Sequence, residues 1–139
     1  MSRNAQKGFT LIELVVVITI LGILAAFAVP RFASLEVQAR AASVQALAGS
    51  IRSGAALSHA LWLAQGQPPT VTMEGSTITM TNGYPDLGTI DDTLADLSGF
   101  TYVPGTGVFS KTGSSVCTVT YVTAAANGAP AVSLVSTCN

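Results

Sequence analysis

Between Phe9 and Val29 the chain reads FTLIELVVVITILGILAAFAV, an apolar run broken by a single charge, Glu13. No other feature restricts the fold so tightly. A bilayer core about 30 Å thick calls for about 20 apolar residues in helical form, so this run is long enough to span one. Arg3 and Lys7 precede it, which keeps the N-terminus cytoplasmic by the positive-inside rule, although Arg31 beyond it makes the asymmetry modest. The polar leader MSRNAQKG stops at Gly8 and the apolar run follows at once. A secretory signal has the opposite order, with its apolar segment ahead of the cut.

Glu13 is the residue that needs a physical reason. A carboxylate within a bilayer costs about 2.5–3.5 kcal/mol on insertion scales and ordinarily has a partner. No basic residue lies within the same run. Either Glu13 sits near enough to the interface to reach water, or its partner is a cation on another copy of the chain. A free α-amino group on Phe9, created by a cut after Gly8, would be such a cation.

The stretch Gly8-Phe9-Thr10-Leu11-Ile12-Glu13-Leu14, set before an unbroken apolar helix, resembles the start of a type IV pilin or a type II secretion pseudopilin. The resemblance is close from Met1 to about Arg31 and architectural beyond. It implies that a prepilin peptidase cuts between Gly8 and Phe9 and methylates the new Phe9 amine. It also implies that Phe9 and Glu13 pair between subunits as a filament assembles. Gly22 and Pro30 match small or helix-breaking positions of the family's N-terminal helix; the family's later helix proline, due near Ser50, is absent.

Pro30 predicts a kink or local melting around Ala26, because it lacks an N–H and clashes with the carbonyl four residues back. Beyond it, Val37, Val44, Leu47, Ile51, Ala55, Leu61 and Trp62 recur at helical spacing and form an apolar stripe. Glu36 and Arg40 stand in the favourable order for an exposed helical pair. Gly66, Pro68 and Pro69 supply the stop, so the helix is expected from about Phe9 to about Gln65, on the order of 85 Å. On that face Trp62 and His59 read as core packing rather than a ligand pair.

From Thr70 the composition turns to Thr, Val, Gly and Ser, which predicts short strands and turns. Thr70–Glu74 and Ser76–Thr81 flank Gly75, and Pro104-Gly105 interrupts Tyr102 to Phe109. Val116–Thr123 and Ala131–Cys138 read as a hairpin turning at Asn127-Gly128. With those two residues at its centre, Cys117 falls opposite Cys138, and Val119–Ser136, Tyr121–Leu134 and Thr123–Val132 pair on the same face. A Cys117–Cys138 bridge is therefore expected, contributing about 3 kcal/mol and placing the globule outside the reducing cytoplasm. A C-terminal disulfide is similar to those bounding the last region of type IV pilins and is usually missing from secretion pseudopilins. Asn82-Gly83-Tyr84-Pro85 resembles the mannose-sensitive haemagglutinin type of pilin.

Asp86, Asp91, Asp92 and Asp96 form an acidic stretch with enough oxygens for calcium, but their spacing matches no EF-hand loop. The alternative is a short helix, Ile90 to Leu97, capped by Thr89 or Asp91. A lone His59 without nearby Cys argues against zinc, so no metal and no cofactor are expected. Charged residues are only 9% of the chain against about 25% in an average soluble protein, and hydrophobic residues are 49%. That balance excludes disorder, and six Lys and Arg against seven Asp and Glu provide no field for nucleic acid. No nucleophile–base set, glycine-rich phosphate loop or metal quartet points to an enzyme.

The expected fold is α+β, a long N-terminal helix packed on a small antiparallel sheet with a disulfide-closed C-terminal hairpin. Its expected parts are a cleaved leader (1–8), a membrane or filament-core helix (9–29), an amphipathic half (30–65) and a β-sheet head (66–139). The expected function is a structural pilus subunit for attachment or motility. It would wait in the inner membrane as a single-pass prepilin and then assemble into an extracellular homo-oligomeric helical filament. Its partners would be the prepilin peptidase, the membrane and the inner-membrane assembly machinery. A secretion pseudopilin acting as a piston and a membrane-anchored binding module are the alternatives. The module leaves Glu13 and the Gly8-Phe9 junction without a role. Aromatic residues at 6% give an electron-conducting filament little support.

Overall fold

The computed structural model describes residues 8–138 apart from Ser115 and Ser136, so Arg3, Lys7 and the rest of 1–7 lie outside the described residues. One helix, α1 (Leu11–Ala64), carries the N-terminal part of the chain, close to the expected bounds. The melting expected around Ala26 is not seen: α1 runs through Gly22 and Pro30 without a break. Pro30 removes a single backbone donor, and the helical turns on either side propagate past it because each adds its own hydrogen bond. The helix ends where the sequence places its stop. Gly66 N–H bonds to Leu63 O at 3.3 Å and Gln67 N–H to Trp62 O at 2.9 Å, with Gly66 at φ +79°. This is a Schellman closure, in which the left-handed residue after the helix is ordinarily glycine.

Contacts divide the chain into two compact units, between Glu36 and Val37. In the second unit the apolar stripe becomes the core. Val44, Leu47, Ala48, Ile51 and Ala55 are buried against Phe109, Val119 and Tyr121, alternate residues of two neighbouring strands. Each such Val, Leu or Ile, fully buried, contributes roughly 1.5–3 kcal/mol. Leu61 and Trp62 belong to a smaller cluster with Val71, Met73 and Ile78. His59 packs as expected: its ring stacks on Tyr84 at 4.2 Å, and Nδ1–H donates to Gly83 O at 2.7 Å.

Two antiparallel sheets complete this unit. The first is three-stranded, with β1 (Thr70–Met73), β2 (Ser76–Thr81) and β3 (Tyr84–Pro85) in sequence order. Its first turn is Glu74-Gly75, as expected. Its second is Asn82-Gly83, at φ +54° and +85°, the two left-handed residues that a tight hairpin requires. The second sheet is four-stranded, with β4 (Phe100–Val103), β5 (Val108–Lys111), β6 (Thr118–Val122) and β7 (Ala131–Val135) in sequence order. Gly107, at φ +72° before β5, lies so close to the Tyr121 carbonyl that a β-carbon there would collide with it. Arg52 on α1 donates from Nη2 to Val132 O on β7, at 3.0 Å.

The last hairpin differs from its expected form. The observed pairs include Val119↔Leu134, Tyr121↔Val132 and Val122↔Ala131, a register shifted by two residues. The expected pairs Tyr121–Leu134 and Thr123–Val132 are therefore not formed, and Ser136, expected opposite Val119, lies outside the described residues. The turn is Ala125–Gly128, closed by Gly128 N–H to Ala125 O at 2.9 Å, with Asn127 at φ +59° in its third position. Tertiary contact outweighs the local Asn-Gly preference here: Ala124 is buried and its carbonyl accepts Asn82 Nδ2–H at 2.8 Å. That tie centres the turn one residue earlier. The Cys117–Cys138 disulfide is present, with Cα atoms 4.8 Å apart, but Cys138 reaches it from beyond the end of β7.

The helix expected over Ile90 to Leu97 shrinks to a 3-10 turn at Asp91–Thr93, and no side chain caps it. Thr89 is engaged elsewhere, accepting Thr79 N–H at 3.0 Å and donating to Asp86 Oδ1 at 2.8 Å. Asp96 Oδ1 accepts both the N–H and the hydroxyl of Ser98. Two tyrosines bind the adjoining segment: Tyr121 Oη donates to Pro85 O at 2.8 Å and Tyr102 Oη to Leu87 O. Burial raises both phenols above their ordinary value, helped by the Asp86 carboxylate at Tyr121 and Asp91 at Tyr102. Unfolded tyrosines ionise near pH 10 while the folded ones keep their protons, so stability is full below about pH 10 and falls as pH rises beyond it. Denaturation midpoints across that range should show the decline, and Tyr121→Phe should flatten it; an equal slope in the variant would remove Tyr121 as its source.

Candidate assembly site

Gly8, Phe9 and Thr10 precede α1 outside any regular element, and all three are exposed. The Gly8–Phe9 bond thus lies outside the helix, between two exposed residues. The helix then begins through a reciprocal pair that the sequence spells as Thr-x-x-Glu. Glu13 N–H donates to Thr10 Oγ1 at 3.3 Å, while Glu13 Oε2 accepts Thr10 N–H and the Thr10 hydroxyl, each at 2.8 Å. This is a capping box, which satisfies donors that a helix start leaves unpaired and places negative charge at the positive end of the helix dipole. Thr10 was not singled out by the sequence reasoning, although Thr three residues before Glu, followed by an apolar run, is its signature.

Both hydrogen bonds from Thr10 fall on Oε2, so Glu13 Oε1 accepts none of those seen among the described residues. Phe9 and Glu13 border one shallow apolar hollow of about 340 Å³ with Ile12, Val16 and Val17. The site therefore offers one carboxylate oxygen, a free phenyl ring and a bare helical wall. The large apolar side chains of this unit range from 43% exposed at Val15 to 91% at Phe9. A continuous apolar surface of that size marks a membrane or protein contact. α1 is long and apolar enough to cross a membrane. Gly22 and Pro30 lie farther along the same exposed helix, and an added β-carbon at Gly22 would meet nothing within 4 Å. Cys117 and Cys138 lie in the second unit, so the structure groups Gly8, Phe9 and Glu13 at the helix start and assigns the bridge to the other unit. Among the described residues no group of His, Cys, Asp and Glu is arranged to hold a metal.

Comparison with known proteins points the same way. The family model for the prokaryotic N-terminal methylation motif matches residues 3–29. The type IV narrow pilus major component PilA5 of Thermus thermophilus is 59% identical over 51 residues, 37% of this chain and 44% of the relative. The type IV major alpha-pilin of Moraxella bovis is 43% identical over 75 residues, 53% of this chain and 44% of the relative. A type IV major fimbrial protein FimA of Dichelobacter nodosus is 46% identical over 50 residues, 36% of this chain and 31% of the relative. The chain thus spans less than half the length of the curated relatives it matches. No solved structure matches it.

Proposed function

We propose that this chain, whose N-terminal region is similar to that of type IV pilins, is a structural subunit of a type IV pilus. The observation that carries the reading is the conjunction at the helix start: a Gly8–Phe9 bond outside the helix, a carboxylate with an unused oxygen at Glu13, and a bare apolar helix behind them. In the membrane, residues 9–29 lie in lipid with the N-terminus cytoplasmic. A prepilin peptidase cuts after Gly8 and methylates the Phe9 amine, which stays cationic. Glu13 Oε1 then receives the Phe9 ammonium of a neighbouring subunit, and the inner-membrane machinery passes the pair into a filament. Lipid contact is exchanged for helix–helix contact, so apolar burial changes little and packing with polar pairing sets the register. Repetition of that head-to-tail contact does not close, which yields an open fibre.

Two features favour an extracellular fibre over a secretion piston: the Cys117–Cys138 bridge and relatives that are named as pilus or fimbrial components. Intact mass tests the processing directly. In a host with the peptidase, the mature protein should weigh as residues 9–139 plus one methyl group, less two hydrogens for the bridge. A mature product that retains residues 1–8 would end this reading.

A further inference from the structure

The sequence contains two Asn-Gly dipeptides, Asn82-Gly83 and Asn127-Gly128, and the fold treats them oppositely. We propose that Asn127 is a site of spontaneous covalent modification, deamidating to aspartate and isoaspartate, while Asn82 is protected by the fold. In this reaction the backbone nitrogen of Gly128 attacks Asn127 Cγ. An N–Cγ bond forms, the Cγ–Nδ2 bond breaks, the Gly128 amide proton is lost to solvent base and ammonia leaves. Water then opens the cyclic imide at either carbonyl, so the balance is asparagine plus water giving an acid plus ammonia. Glycine after the asparagine presents the least hindrance to that attack.

Both the attacking nitrogen and the side-chain amide must be free to move, and here the two sites part. Asn82 Nδ2–H is donated to Ala124 O at 2.8 Å. Gly83 is buried, and the Trp62 ring packs so closely that a β-carbon on Gly83 would lie 2.8 Å from it. Its carbonyl is held by His59 Nδ1–H at 2.7 Å. Attack at Asn82 therefore requires breaking two tertiary hydrogen bonds and lifting a packed turn. Asn127, Gly128 and their neighbours Ala125, Ala126 and Ala129 are all exposed, and the Asn127 side chain makes no hydrogen bond among the described residues. The Gly128 nitrogen is restrained by one local bond, to Ala125 O at 2.9 Å. A single exposed hydrogen bond is worth about 0.5–1.5 kcal/mol net, so that turn opens often. The product places a new carboxylate on the rim of the cleft, about 730 Å³ in volume, that His59, Trp62 and Tyr84 also line.

The test uses the mature full-length protein in detergent, held at mildly alkaline pH and sampled over time. Lys111 is the only Lys or Arg after Arg52, so trypsin separates Asn82 (fragment 53–111) from Asn127 (fragment 112–139). Mass spectrometry should show the amide-to-acid mass gain in the second fragment at a rate at least about tenfold above the first, the factor that 1.4 kcal/mol of protection provides. In urea the two rates should converge. Gly128→Ala should slow conversion at Asn127 without disturbing the fold, since the added carbon would lie 3.4 Å from Ala125 O, an ordinary contact. Equal rates in the folded protein, an intact Asn127 while Asn82 converts, or a rate difference that survives unfolding would each overturn the proposal. None of these outcomes depends on filament formation.

Discussion

Replacing Glu13 with Val or with Gln is expected to leave the chain in the membrane and to cut filament yield at least about tenfold. The two substitutions separate the two tasks of this carboxylate. Val removes both the charge and the acceptor for Thr10, so the helix start loses about 1 kcal/mol as well. Gln keeps an acceptor oxygen at the position where Glu13 Oε2 takes Thr10 N–H at 2.8 Å, because a capping box accepts either residue. It removes only the charge. If Glu13 serves a neighbour's ammonium, both variants fail to assemble, since hydrogen bonds to charged groups contribute about 1.5–3 kcal/mol and 1.4 kcal/mol is already tenfold. Filaments counted by electron microscopy of sheared cells, against membrane-inserted subunit on a blot, provide the measurement. Wild-type yield from Glu13→Gln would assign the residue to the helix cap alone.

The second large effect is in the other unit. The double variant Cys117→Ala, Cys138→Ala should lower unfolding stability by about 3 kcal/mol, within the 2–5 kcal/mol typical of native bridges in small exported domains. Alanine is the suitable replacement because both positions are fully buried and a serine hydroxyl would lack a partner. Trp62, the single tryptophan, packs half-buried on the Val71, Met73 and Ile78 cluster and reports unfolding by fluorescence. Urea denaturation of the full chain in detergent should show an earlier midpoint for the variant, and the same shift when the native protein is reduced. An unchanged midpoint in both would mean that the bridge holds nothing the core does not already hold.

Much of this molecule was legible because its strongest signals are local. An apolar run, a helix stop and a turn glycine act within a few residues of themselves, so α1, the Glu74-Gly75 hairpin and the Pro104-Gly105 break follow from composition and spacing. The last hairpin was not legible for the opposite reason. Asn127-Gly128 carries the strongest local turn signal, yet Asn82, far away in sequence, holds Ala124 O and moves the turn. The bridge was anticipated from a register that the fold does not adopt. It survives because Cys138 approaches from outside the ladder. Thr10 is legible in the spacing Thr-x-x-Glu, a weaker signal than the unpaired charge of Glu13 in the same apolar run. The short turn at Asp91–Thr93 depended on Thr89 choosing Asp86 and Thr79 over a helix end, a choice set by tertiary packing.

The contact between Arg52 and β7 bears on what the border of the second sheet can join. β7 is the outer strand of its sheet, and its solvent-directed residues Ala131, Ser133 and Val135 bear no charge to repel a stranger. Such a border invites any loose strand to zip alongside. The guanidinium resting on the Val132 carbonyl occupies one rung of that vacant ladder, so an intruding strand must first evict a cation. A flank guarded in this way would leave the greasy N-terminal stretch as the surface on which the proposed filament is built.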